Sequence, residues 1–236
     1  MGETVEFASN GGTAAGYLSR PAGGSGPGLI VVQEWWGVDD AMKQTADRLA
    51  EAGFVALVPD LYHGEVAPHG ELASHDEMDR AGQLMNGLPA DRAARDMSGA
   101  VDWLAASPDV TGRGLGVVGF CMGGMLALIL AANRGDKIAA AVPFYGFPQG
   151  ESEPDWSKLT GRVRGHMAET DGFFGPDAAK ALAAKLQGMG KDVVFTVHPG
   201  TGHAFMGPHN ALGTRDAALA DKIWPEVISF LHEQLG

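Results

Sequence analysis

Residues 114–124, Gly-Leu-Gly-Val-Val-Gly-Phe-Cys-Met-Gly-Gly, constrain the fold more than any other stretch of the chain. An apolar, β-type run over 115–118 drives into Gly119-Phe120-Cys121-Met122-Gly123, and an Ala/Leu-rich helical run over 125–132 follows at once. A strand can turn this sharply into a helix only if the residues two before and two after the tip are small. Gly119 and Gly123 meet that need, so the pattern predicts a nucleophile elbow with Cys121 at its tip, where serine is commoner. The helix N-terminus behind it favours negative charge on sulfur and on a nearby oxyanion. The competing reading of a lone cysteine is a buried, inert thiol; the glycine frame argues against it.

Around this segment, short apolar runs alternate with amphipathic ones. Residues 3–8 and 14–19 flank Asn10-Gly11-Gly12, a good hairpin turn. Pro21 to Gly28 reads as a surface loop. Strands are expected at 29–32, 54–58, 115–118, 138–144, 163–168 and 193–197. Helices are expected at 40–52, 71–85, 92–105, 125–132, 176–186 and 216–234, with Leu88-Pro89 separating the second from the third. Pro225 either kinks the last helix or starts its second half. The alternation implies one domain over 1–236 built on a mostly parallel sheet with helices on both faces. Such sheets place their sites beyond the carboxyl ends of the strands.

The chemistry-bearing residues fall there. Cys121 follows one strand, Asp171 follows the next but one in Glu169-Thr170-Asp171-Gly172, and His203 follows the last in Gly200-Thr201-Gly202-His203-Ala204-Phe205. The order nucleophile, acid, histidine is that of the α/β-hydrolase fold. A histidine of near-neutral pKa can take the thiol proton and later return it to a leaving group. A carboxylate on its far nitrogen fixes the tautomer and stabilises the imidazolium. Alone, His203 would read as a loop histidine and Asp171 as a helix cap; together and in this order they read as a triad. Class I glutamine amidotransferases also place cysteine in Gly-x-Cys-x-Gly, but pair it with His-x-Glu. Phe205, Gly200 and Ala211 stand two after His203, His198 and His209, which excludes that class.

Gln33-Glu34-Trp35-Trp36-Gly37 follows the first core strand. In this topology that loop gives one oxyanion-hole N–H and the residue after the nucleophile the other, nominating the amides of Trp35 and Met122. Glu34 ends a buried strand and needs a partner. It could reach the cysteine or the histidine, or make a structural hydrogen bond to a neighbouring loop.

Composition narrows the partners. A net charge of −12 argues against nucleic acid and anionic membranes, and no run approaches a membrane span. Met1-Gly2-Glu3-Thr4 reads as no signal peptide. One cysteine permits no internal disulfide and fits a reducing cytosol. His63, His69 and His75 recur every six residues beside Glu65, Glu71 and Asp76. That spacing suits neither one helix face nor a tight finger, so neither a metal nor another cofactor is expected.

Gln-Glu-x-x-Gly at 33–37, Pro-Asp-Leu-Tyr at 59–62, Gly-Phe-Cys-Met-Gly-Gly, Phe-Tyr-Gly at 144–146 and Gly-His-Ala-Phe at 202–205 together resemble the dienelactone hydrolase (carboxymethylenebutenolidase) family over nearly the whole chain. The resemblance implies a Cys-His-Asp hydrolase opening a small lactone or ester through an acyl-enzyme. It implies that Glu34 holds the resting thiol and is displaced by substrate, and that Arg80 grips a substrate carboxylate. Two further family contacts are absent, since Ala204 and Gly207 stand where a serine and an arginine are usual. A general carboxylesterase or thioesterase with the same triad is the nearer alternative, and a non-catalytic binding protein the remoter one. Trp35, Trp36, Tyr145, Phe173, Phe174 and Phe205 are expected around the acyl group.

Overall fold

The computed structural model describes residues 2–9, 11–207 and 209–236; Asn10, in the expected hairpin turn, lies outside the described residues. Eight strands form one sheet: β1 (Glu3–Ser9), β2 (Gly12–Ser19), β3 (Gly26–Val32), β4 (Val55–Pro59), β5 (Val110–Phe120), β6 (Ile138–Phe144), β7 (Arg162–Thr170) and β8 (Val193–Gly202). The order is β1-β2-β4-β3-β5-β6-β7-β8. β2 is antiparallel to β1 and β4, and the pairings from β4 through β8 are parallel. This is the α/β-hydrolase architecture.

Period-two burial explains the layering. Ile30, Val32 and Val117 face one core with Met97 and Leu104 of α3 (Ala90–Ala105), Leu128 of α4 (Met122–Asn133) and Leu182 of α5 (Pro176–Gly188). Leu29, Val31 and Val118 face the other core with Met42 and Leu49 of α1 (Asp40–Glu51) and Trp224 and Leu231 of α6 (Ala217–Leu235). Both faces are therefore dry, as a parallel sheet requires.

Two expectations shift. Helix α2 (His75–Asn86) begins four residues later than residue 71, because Ser74 caps it and Glu77 completes a capping box. α6 runs unbroken through Pro225. α2 buries only Ala81, packed with Trp36, Ala67 and Ala211 into a small third cluster above the strand ends.

Candidate active site

Cys121 sits between β5 and α4 with φ 55° and ψ −121°. L-residues avoid that conformation, and holding one there costs about 1–3 kcal/mol. All four described non-glycine residues with positive φ, namely His63, Cys121, Tyr145 and Ala204, follow the carboxyl ends of β4, β5, β6 and β8. The glycines make the turn possible. A Cβ on Gly119 would stand 2.0 Å from the Gly123 carbonyl oxygen, and one on Gly123 2.3 Å from that of Val32. The Cys121 amide donates to the Phe144 carbonyl at 3.0 Å, and the Cys121 carbonyl accepts from the Gly124 and Met125 amides. The cysteine backbone is thus fixed from both sides.

β7 and β8 bring the acid and the histidine to the same end. His203 Nδ1–H donates to Asp171 Oδ2 at 2.8 Å, and Asp171 Oδ1 accepts from the Phe173 and Phe174 amides at 2.8 and 3.0 Å. The Thr214 hydroxyl holds the His203 carbonyl. The ring is flanked by Phe173, Phe174 and Tyr145, with centroids 5.0, 5.9 and 5.2 Å away. Burial alone would raise the Asp171 pKa, but the imidazole and the two amides outweigh it and hold the carboxyl below the ordinary aspartate value. Burial pulls His203 down; the Asp171 hydrogen bond and the Cys121 sulfur overcome it and push the imidazole up to about 10. The imidazole thus lies buried between the Asp171 carboxylate and the Cys121 sulfur.

A cavity of about 500 Å³ opens over the sulfur. Its walls are Trp35, Met85, Met122, Met125, Phe173, Phe174 and Leu212, with Gln149, Cys121 and His203 as the polar groups. Trp35 belongs to the loop after β3 and Met122 is the first residue of α4. The first N–H groups of a helix have no intrahelical acceptor, so the Met122 amide is left without an intrahelical partner at the cavity, which Trp35 also lines.

Other expected residues stand elsewhere. Arg80 is half exposed and paired with Glu65, and it does not line the cavity. On α2 the inward face carries Ala81 and, one turn on, Met85; residue 80 is rotated away by about 100°. Trp36 is 1% exposed, against Trp35 and 4.3 Å from the His69 ring. Phe205 is buried beneath the site against Tyr145 and His198. Tyr145 is fully buried, so it backs the His203 ring and is not part of the wall.

Glu34 is buried and has the partner its position demands, but that partner is His209. His209 Nε2 lies 2.8 Å from Glu34 Oε2, and the Tyr145 hydroxyl donates to Oε1 at 3.3 Å. Burial opposes charge on His209, and the Glu34 carboxylate overcomes this and raises its pKa. Sequence reasoning tried His209 only as a catalytic base and had no reason to bring it, six residues past His203, to the end of β3. It also missed Met85, Met125, Gln149 and Leu212, whose common wall forms only when α2, α4 and two loops meet. Tyr62 was visible only as part of a motif; its hydroxyl donates to the Trp35 carbonyl at 3.2 Å, which braces the loop after β3.

The dienelactone hydrolase family model matches residues 14–235. The chain belongs to the dienelactone hydrolase family. Its relatives include Protein usf of Aquifex pyrophilus, 35% identical with both chains fully covered. Carboxymethylenebutenolidase 1 of Cupriavidus pinatubonensis is 29% identical, over 87% of this chain and 86% of that one. Among solved structures, a dienelactone hydrolase-like promiscuous phosphotriesterase from metagenomic libraries superposes with a TM-score of 0.82 at 25% identity, covering 100% of this chain and 99% of that one. This dienelactone hydrolase family member is therefore a hydrolase whose fold the strand order had already described. No helix among the described residues is long and apolar enough to cross a membrane.

Proposed function

We propose that the protein hydrolyses a lactone or ester whose acyl part is apolar and uncharged, through an acyl-enzyme on Cys121. The observation that carries this reading is the pairing of Cys121 and the His203–Asp171 dyad with a cavity whose lining carries no lysine or arginine. Substrate enters against Trp35, Phe173 and Leu212. The sulfur attacks the carbonyl carbon, and the oxyanion is held by the Met122 and Trp35 amides. His203, carrying the proton taken from the thiol, protonates the departing alkoxide. In a lactone that alkoxide stays tethered to the acyl group, so ring opening gives one hydroxy-acyl thioester. His203 then takes a proton from water, hydroxide adds to the thioester, and the thiol is regenerated as the acid leaves.

Glu34 serves this scheme as a buttress. Both its oxygens are occupied by Tyr145 and His209, so it braces the loop that carries Trp35; release toward the thiol would cost both contacts. A free thiol nucleophile suits a reducing compartment, which supports a cytosolic setting. The net charge of −12 supports a small molecule over nucleic acid as the partner.

The test is rapid mixing with p-nitrophenyl acetate and butyrate, then steady-state hydrolysis of matched lactones with and without a carboxylate. A stoichiometric burst of nitrophenol is expected, with kcat/KM no higher for the acidic lactone. Cys121→Ala should abolish the burst and cut turnover by about two to four powers of ten. A variant that keeps near-normal turnover would overturn the mechanism. A strong preference for the acidic lactone would overturn the substrate class.

A further inference from the structure

A second cavity, of about 460 Å³, lies on the far side of Glu34, and Asp39, His69 and His209 meet on its wall. The six-residue histidine recurrence does not converge: His63 pairs with Asp96 and His75 with Asp79. His69 instead joins His209 and Asp39 from distant parts of the chain. One donor atom from each of the three lies within 4.8 Å of the others. All three side chains are close to nine-tenths withdrawn from water.

The hydrogen bonds at this cluster leave a gap that a cation would fill. His69 Nδ1 lies 3.0 Å from the Gly70 carbonyl, which accepts but cannot donate, so Nδ1 carries a proton. Nε2 then faces Asp39 Oδ2 at 3.2 Å. A lone pair against a carboxylate oxygen repels; that contact needs either a second proton or a metal ion between the two atoms. Two ligands of a tetrahedral zinc, each 2.0–2.1 Å from the metal, stand about 3.3 Å apart, which is the spacing seen. Asp39 is free to ligate through Oδ2 because its Oδ1 is the one that caps α1, accepting from the Met42 amide. His209 has a carboxylate behind it, Glu34 on Nε2, and a carboxylate behind a histidine is what orients the ring toward a metal. Its other nitrogen accepts only a long 3.4 Å contact from the Ala211 amide. The Trp36 indole shields one side of the cluster, 4.3 Å from His69 and 6.4 Å from His209 between ring centres. The cavity leaves the other side open to water for the remaining coordination position.

We propose that Asp39, His69 and His209 form a binding site for a divalent transition metal such as zinc, distinct from the Cys121 cavity, with Glu34 as the outer carboxylate of His209. Two imidazoles and one carboxylate suit zinc, cobalt or nickel far better than calcium or magnesium. Binding uses the lone pairs of His69 Nε2 and of one His209 nitrogen.

The test is calorimetric titration of the full chain, stripped of metal, with zinc at pH 7, in the unmutated protein and in Cys121→Ala. One equivalent should bind in both. His69→Gln and Asp39→Asn, the latter keeping a helix cap, should each weaken binding by about 100-fold or more, and Glu34→Gln by about 10–100-fold. Cobalt loaded into the unmutated protein gives a check that needs no variant: visible bands of nitrogen–oxygen ligation without sulfur charge transfer. Absence of saturable zinc binding would overturn the site and leave His69–Asp39 a side-chain contact only. So would binding that disappears in Cys121→Ala, or that survives both His69→Gln and Asp39→Asn unchanged in variants whose circular dichroism is native.

Discussion

His203 and His166 are almost equally withdrawn from water, 6% and 7% exposed, and they sit on neighbouring strands. One follows β8 and the other lies within β7. At the strand end, Asp171 and the Cys121 sulfur push His203 up to about 10 against the pull of burial. Inside the sheet, burial carries His166 down to about 3; its Nδ1 meets His198 Nε2 at 3.0 Å, and its ring stacks on Phe144. Burial is common to both, so it alone does not decide whether a histidine is held charged or neutral. The partner decides: a carboxylate makes a buried proton carrier, another imidazole makes a neutral packing element.

The largest test of this contrast is Asp171→Asn. It removes the charge while leaving a side chain of the same size, and favours the wrong His203 tautomer. Turnover should fall by about three to four powers of ten with little change in KM. A loss below tenfold would mean that Asp171 is not what holds His203 as a proton carrier.

The second test is linkage. His203, raised in the folded state, contributes stability that is whole below its unfolded value near 6.5 and is lost as pH rises through about 10. His166 works in the opposite window. Folding keeps it neutral, so its contribution is whole above 6.5 and is lost as pH falls from there toward about 3. His166→Phe should therefore become more stable relative to the unmutated protein as pH falls, by about 2–3 kcal/mol between pH 7 and 4.5 in urea unfolding. Parallel stability curves for the two proteins would show that His166 does not titrate in the way its surroundings imply.

The smallest expected effect is at Arg80. Its guanidinium is occupied by Glu65 on the surface, outside the region where charge governs His203. Arg80→Ala should leave kcat/KM within about twofold for acidic and neutral lactones alike, since an exposed ion pair contributes about 0–1 kcal/mol. A selective loss on the acidic lactone would bring Arg80 back to the substrate.

The same contrast explains what was legible in the sequence. Cys121, Asp171 and His203 each sit one residue past a strand, and strands buried on both faces announce themselves by short apolar runs. The placement of those three at one sheet end therefore follows from local pattern and chain order. The period of α2 was carried too far upstream, to residue 71, and the Ser74 cap that starts it was not singled out. Arg80 shows the limit: a periodic stretch does not say which way the helix is turned until Ala81 has packed on Trp36 and Ala211. Glu34 shows another. Its need for a partner could be read from one buried strand, but its choice of His209, 175 positions further along, depends on the intervening chain being folded. The His166–His198 pair carried no local signal at all, because each histidine by itself is an ordinary strand residue.

The elbow makes the reacting position independent of the reacting element. Residue 121 is aimed by contacts of its main chain and by side chains its neighbours lack; a Cβ on Gly146, for instance, would fall 1.9 Å from the Cys121 carbonyl oxygen. Whatever atom hangs from that Cβ arrives at the same place, so a single-codon change from sulfur to oxygen would alter the leaving-group chemistry and not the location. The glycines beneath are closed to drift. Adaptation to a new acyl group must therefore come from the rim, where Met85, Gln149, Phe173 and Leu212 can be exchanged without disturbing the turn.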